Sequence, residues 1–181
     1  MLSSWFGKSS STSQVECATE VATTAVRDSV LISNATVAHC FRVVSQVEQY
    51  PEFLSVYKKI ELLKINETSE GIERVLRYTI DVPTLAKPFL SELVYTLKVT
   101  TKTDNENRIY TMQWEHVDGP SFLKENNGKW TVSDQGRDVK LEMECDMAYT
   151  FYLPSYIKSM IQSSMVSDTL NNIKKRIMTT M

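Results

Sequence analysis

Acid–base chemistry near neutral pH calls for an imidazole, and the chain carries two, His39 and His116. His116 keeps step with Met112 and Trp114 at a spacing of two, which puts the three on one face of a strand. Turned inward there, it can orient the polar end of a ligand or act as an acid or base. The competing reading is a hydrogen-bonded histidine that closes a strand. His39 stands beside Cys40 in an amphipathic segment and reads as a partly exposed helix residue. Glu142, Glu144 and Asp146 look like a carboxylate cluster. Alternation puts them on a wet strand face instead, opposite cross-strand lysines or solvent, with nothing to shift a carboxyl pKa. Arg74 interrupts an apolar alternation. It either reaches solvent along its stem, pairs with an internal carboxylate, or holds an anionic head group of a ligand.

No catalytic residue follows from these groups. The chain lacks HExxH, GxSxG, a Walker loop and GxGxxG. Two separated histidines and three cysteines without a CxxC leave no basis for a metal site, and no cofactor is implied. The remaining chemistry is an inward set of aromatic and thioether side chains: Tyr78, Tyr95, Tyr110, Met112, Trp114, Trp130, Met143, Met147 and Tyr149. An apolar hollow edged by a few phenols and indoles is the usual make-up of a small-molecule site. The same alternation also serves a solid core. Buried Tyr and Trp need partners for their polar atoms, which favours a hollow holding water or ligand.

Seven strands must present that set. Alternation predicts them over 20–32, 59–66, 71–82, 89–100, 108–116, 127–133 and 139–151, with Pro83 ending the third. Polar connectors at 67–70, 104–107 and 134–138 read as turns. Ser33 or Asn34 is placed to cap a helix over 35–47, and Pro51 to open a second, short one. Tyr50 and Phe53 pack inward at that corner. Pro154 then starts a long helix to about residue 178. The order predicts an α+β fold, β-α-α-β6-α, with a curved antiparallel sheet of about seven strands wrapped around the C-terminal helix.

That helix carries two apolar stripes. Tyr156, Ile157, Met160, Ile161 and Met165 form one, and Val166, Leu170, Ile173 and Ile177 the other. At ~100° per residue the second is turned well over a quarter turn from the first. Either the helix bends near Ser163 and Ser164 so that both enter one core, or the halves have different partners. On the second reading Val166–Ile177 is the anchor. Tyr156, Ile157, Met160 and Ile161 then form a gate, bordering a ligand opening or making transient membrane contact, and the loop over 117–127 completes it.

With 181 residues the chain suits one domain over 20–181, preceded by a polar, serine-rich tail over 1–19. The tail has one basic residue, Lys8, and reads as disordered, with a mitochondrial transit peptide as the alternative. The net charge of −2 gives no reason to expect nucleic acid binding. The cysteine pattern suits a reducing compartment, cytoplasmic or, alternatively, the mitochondrial matrix. No apolar run is long enough to span a bilayer. Nothing in the pattern fixes an oligomeric state.

Three segments carry a family resemblance. Asn34-Ala35-Thr36-Val37 opens the first helix, Val47-Glu48-Gln49-Tyr50-Pro51-Glu52-Phe53 follows it, and Trp114 to Phe122 leads through Gly119 and Pro120 to Gly128-Lys129-Trp130. In this order they resemble the START-like helix-grip (SRPBCC) superfamily, nearest its polyketide cyclase/dehydrase and coenzyme Q-binding branches, over nearly the whole chain. The resemblance implies a deep apolar cavity between sheet and C-terminal helix. Its members bind lipids, isoprenoid quinones, sterols or polyketides, and some are cyclases or aromatases. The expected function is binding or transfer of a hydrophobic small molecule. The expected ligand contacts are Arg74, Tyr78, Tyr95, Met112, Trp114, His116, Trp130, Met143, Met147 and Tyr149. The alternatives are a cyclase or aromatase using His116 or a tyrosine, and a protein-interaction module with a vestigial cavity.

Overall fold

A computed structural model describes the backbone of residues 22–69, 71–81, 92–150 and 155–181; the side chains of 22–24 and 155–165 fall outside the description. The tail over 1–19, Val82, Pro83, Phe89, Phe151 and Pro154 are also outside it, so the expectations placed on them have no structural counterpart.

Seven strands form one antiparallel sheet: β1 Ala22–Ser33, β2 Tyr57–Thr68, β3 Gly71–Asp81, β4 Glu92–Asp104, β5 Ile109–Asp118, β6 Leu123–Asp134 and β7 Asp138–Tyr149. Strands β2 to β7 follow one another as a meander, and β1 closes the far side against β7, giving the order β1-β7-β6-β5-β4-β3-β2. The connectors over 104–107 and 134–138 form the expected turns, and the one over 67–70 includes a residue outside the description. Asp104 accepts from the backbone N–H and the side-chain amide of Asn107, and Gly136 takes a positive φ of 84° between β6 and β7.

Helix α1, Val37–Ser45, starts later than expected. Asn34 does not cap it but adopts φ 59° to turn the chain out of β1. Thr36 is the cap, its Oγ1 accepting from the His39 N–H at 3.2 Å. The second helix is also corrected. Pro51 does not open it; it lies inside a 3-10 turn, Val47–Glu52, that runs on from α1. Tyr50 anchors this turn by donating its buried hydroxyl to the Val44 carbonyl at 2.6 Å, with Phe53 edge-on to its ring. Helix α2 runs unbroken from Ser155 to Thr180, and its anchor stripe is as expected: Val166, Leu170, Ile173 and Ile177 are all buried. The sheet curves around α2 with α1 beside it, the helix-grip arrangement.

On the outer face Glu142 and Glu144 are paired with cations. Glu142 accepts from Arg27 at 2.6 Å and from Lys140, and Glu144 lies between Arg27 and Lys129. The hydrogen bonds from Lys140 and Arg27 hold the Glu142 carboxyl below the usual range.

Candidate functional site

The concave face divides by residue type. Toward the β6–β7 turn it is filled by Val132, Val139, Leu141, Ile173 and Ile177, all at or near zero exposure. Toward the other end lie aromatic and thioether side chains, and these line a partly open cavity of about 60 Å³.

Seven of the ten expected contacts line it: Tyr78 from β3, Tyr95 from β4, Met112 and Trp114 from β5, Trp130 from β6, and Met143 and Met147 from β7. Their convergence follows from register. Tyr78 pairs with Tyr95, Met112 with Trp130, and Trp130 with Met143, so one face of five neighbouring strands carries them. The phenols form a ladder. Tyr78 and Tyr95 stack at 5.3 Å, Tyr57 lies 5.9 Å from Tyr78, and Tyr50 lies 5.9 Å from Tyr57.

Gly128 is the residue that lets Trp114 lie in this layer. It faces inward at its register position, and a Cβ there would overlap both the Trp114 indole and the Glu144 carbonyl. Trp114 therefore crosses β6 over a bare backbone, two residues before Trp130. That accounts for a glycine in Gly128-Lys129-Trp130.

Three expected contacts do not line the cavity. Arg74 does face inward, but its side chain, only 12% exposed, is spent on structure. It donates to the Ser45 carbonyl at 2.7 Å and to Glu48 at 3.1 Å, tying β3 to the end of α1. A cation at a helix C-terminus is favoured by the exposed carbonyls there. Of the readings open in sequence, pairing with a carboxylate is the one the structure adopts, although that carboxylate, Glu48, lies at the surface rather than inside.

His116 also turns inward, but its Nδ1 meets the Lys124 carbonyl at 3.3 Å and its backbone N–H donates to Asn127 Oδ1. Its Nε2 is buried without a partner beneath Gly119. Tyr149 contacts the Met147 sulfur at 3.1 Å and is also off the cavity wall. Tyr110 faces inward as expected but lies off the cavity wall, stacked on Phe41 of α1 at 5.3 Å and donating to Asn105.

Sequence reading missed part of the wall. Tyr50 and Tyr57, the Cys145 thiol, and Thr169 from α2 line the cavity, and so does Asn126. Asn126 had been absorbed into a polar loop over 117–127. That stretch is mostly strand: β6 begins at Leu123, and a bulge between Leu123 and Glu125 lets Leu123 and Asn126 both point inward. The spacing 126, 128, 130 carries the signal, hidden by the polarity of Lys124, Glu125 and Asn127. Asn126 is 3% exposed, and its Oδ1 accepts from Trp114 Nε1 at 3.2 Å.

The gate expected at Tyr156, Ile157, Met160 and Ile161 concerns side chains outside the described residues. No described helix is long and apolar enough to cross a membrane.

The electrostatics are those of a dry site. No described lining residue carries a formal charge. Burial raises the phenols of Tyr50, Tyr57, Tyr78 and Tyr95 well above their ordinary value, and pushes the Cys145 thiol up to about 12. Burial thus favours the neutral form of each of these groups. Among the described residues no cluster of His, Cys, Asp or Glu is gathered to hold a metal ion.

Residues 33–174 match the family model described as polyketide cyclase / dehydrase and lipid transport. Curated protein sequences give no match. Solved structures give many. A START superfamily protein from Mycobacterium smegmatis superposes with a TM-score of 0.69 at 14% identity, over 87% of this chain and 99% of that one. The STAR-related lipid transfer protein of Xanthomonas axonopodis gives 0.66 at 15% identity, over 84% and 85%. The ZhuI aromatase/cyclase of a Streptomyces gives 0.61 at 15% identity, over 86% and 94%. At such identities these likenesses speak to the fold.

Proposed function

The chain belongs to the polyketide cyclase/dehydrase and lipid transport family, and we propose from that premise that it binds or carries a hydrophobic small molecule between its sheet and α2. The observation that supports this most is the uncharged, aromatic and thioether wall around an internal cavity, set against a solid aliphatic core in the same sheet. Affinity would come from removing apolar ligand surface from water, at ~25 cal/mol per Å².

The cavity is small for this role. Its 60 Å³ compares with about 300–1,000 Å³ for pockets that enclose drug-sized ligands. A lipid or isoprenoid quinone would therefore enter by displacing wall side chains. Unbranched Met112, Met143 and Met147 are suited to that, because thioether chains repack cheaply. Tyr156, Ile157, Met160 and Ile161 remain our proposed border of the opening, with transient membrane contact as part of delivery.

Binding is favoured over cyclase or aromatase chemistry. Burial favours the neutral forms of the wall phenols and thiol, and His116 is not among the described residues that line the cavity. The experiment is to purify the protein natively, extract it with organic solvent and analyse the extract by mass spectrometry. A stoichiometric lipid, quinone or polyketide is the expected result. A clean extract together with no uptake of an apolar fluorescent probe would overturn the reading.

A further inference from the structure

β2 is the last strand of the sheet, and among the described residues no strand pairs with its outer edge. Such an edge offers a row of backbone N–H and C=O groups to any strand that fits it. This one also carries Leu62, Leu63 and Ile65, all about half exposed. Its pairing with β3 slips by one residue at Leu63, because Leu62 pairs with Leu76 and Lys64 with Val75. That bulge changes which residues share a face. Glu61 and Lys64 sit opposite Arg77 and Val75, successive positions on the outer face. Ile60 and Ile65 sit opposite Tyr78 and Arg74 on the inner face. Without the bulge, residues three or five apart would point to opposite faces.

We propose that β2 is a self-complementary interface through which two copies of the chain join their sheets edge to edge. A two-fold axis normal to the sheet keeps each face on its own side, so it pairs only residues that already share a face. Placed at the bulge, it sets Glu61 of each copy against Lys64 of the other, Ile60 against Ile65, and Lys59 against Asn66. Leu62 and Leu63 of both copies gather at the axis. Unlike charges directly opposite one another stabilise an antiparallel pair, and like charges oppose it. The register is therefore selected. Sliding one copy by two residues puts Glu61 against Glu61 and Lys59 against Lys64, and sliding it the other way puts Lys64 against Lys64. An edge defended against pairing would repel a copy of itself in the central register too; this edge attracts one there. Tyr57 opens the same strand and lines the cavity, so the joined strands carry wall from both sites.

Sedimentation velocity on the full chain tests this. The wild type should be mostly dimeric at ~100 μM and dissociate on dilution, as a small interface does. Lys64→Glu places two acidic side chains opposite each other on both sides of the axis, and Glu61→Lys places two basic ones there. Each substitution alone should weaken dimerisation about tenfold or more. Both positions are at the surface, so thermal melts should stay close to that of the wild type. Mixed in equal amounts, the two variants meet with unlike charges in every pair and should form a mixed dimer. The double variant E61K/K64E should dimerise by itself. A wild type that is monomeric at the same concentration would overturn the proposal, whether its edge is then free, covered by another segment of this chain or taken by a different protein. So would a dimer that neither single variant weakens, or single variants whose mixture stays monomeric.

Discussion

The two halves of the concave face share β6 and β7 and pack differently. Where Val132, Val139 and Leu141 share the core with Ile173 and Ile177, branched aliphatic side chains leave at most 2% exposure. Where Tyr57, Tyr78, Tyr95, Trp114 and Trp130 converge, an internal space remains. Branched aliphatics have few rotamers and no polar atoms, so they fill space closely. Rings carrying O–H or N–H groups must also reach partners, and their flat shapes leave gaps when several crowd one layer. The first half is therefore the part that holds the fold. The second trades packing for a place to bind.

The sharpest way to break this comparison is to truncate each half. Ile173→Ala should cost about 2–5 kcal/mol in urea unfolding, because its cavity opens in a fully packed layer, and should leave the probe affinity of the folded fraction unchanged. Met143→Ala should fall at or below the low end of that range and tighten binding of a bulky apolar probe by enlarging an existing space. Equal costs and no change in binding for either variant would erase the distinction between the halves.

Arg74→Met is the intermediate case. It removes the hydrogen bond to the Ser45 carbonyl and strands Glu48, so it should cost about 1–3 kcal/mol in the same unfolding assay without altering probe uptake. Loss of uptake with stability intact would restore Arg74 as a ligand contact.

The smallest effect belongs to the outer face. Glu142 has its carboxyl pKa lowered in the folded protein by Lys140 and Arg27. Its contribution is therefore complete above the unfolded glutamate value of about 4.3, and is lost as pH falls from there through the lower folded value. Glu142→Gln should flatten the acid limb of a stability–pH curve slightly and leave stability differences near neutrality to the lost ion pairs alone. A change in probe binding with the same substitution would be unexpected, since the residue lies on the other side of the sheet.

Much of this was legible in sequence because the sheet alternates so regularly. Tyr78, Tyr95, Met112, Trp114, Trp130, Met143 and Met147 were placed together from period alone, and the buried stripe of α2 from its spacing. Period gives the face and not the neighbour, which is why Arg74, His116 and Tyr149 were assigned to a cavity they do not line. Arg74 is claimed by a carbonyl and a carboxylate over twenty residues away in the chain, and His116 by a carbonyl across the turn before β6. Asn126 was missed for a different reason. A bulge broke the alternation just where polar neighbours made the segment look like loop. Thr36 was passed over as a cap because the need for a positive φ at Asn34 is invisible until β1 and its turn are in place.

The central claim is that the aromatic half keeps space for a ligand, and filling that space tests it most directly. Thr169 faces the cavity from α2, and Thr169→Phe adds about the volume available there. An apolar probe titrated into the wild type and into this variant, with thermal melts confirming that both are folded, should bind the wild type at one site and the variant not at all. Equal binding to both would contradict the account, because the ligand would then occupy some other part of the molecule.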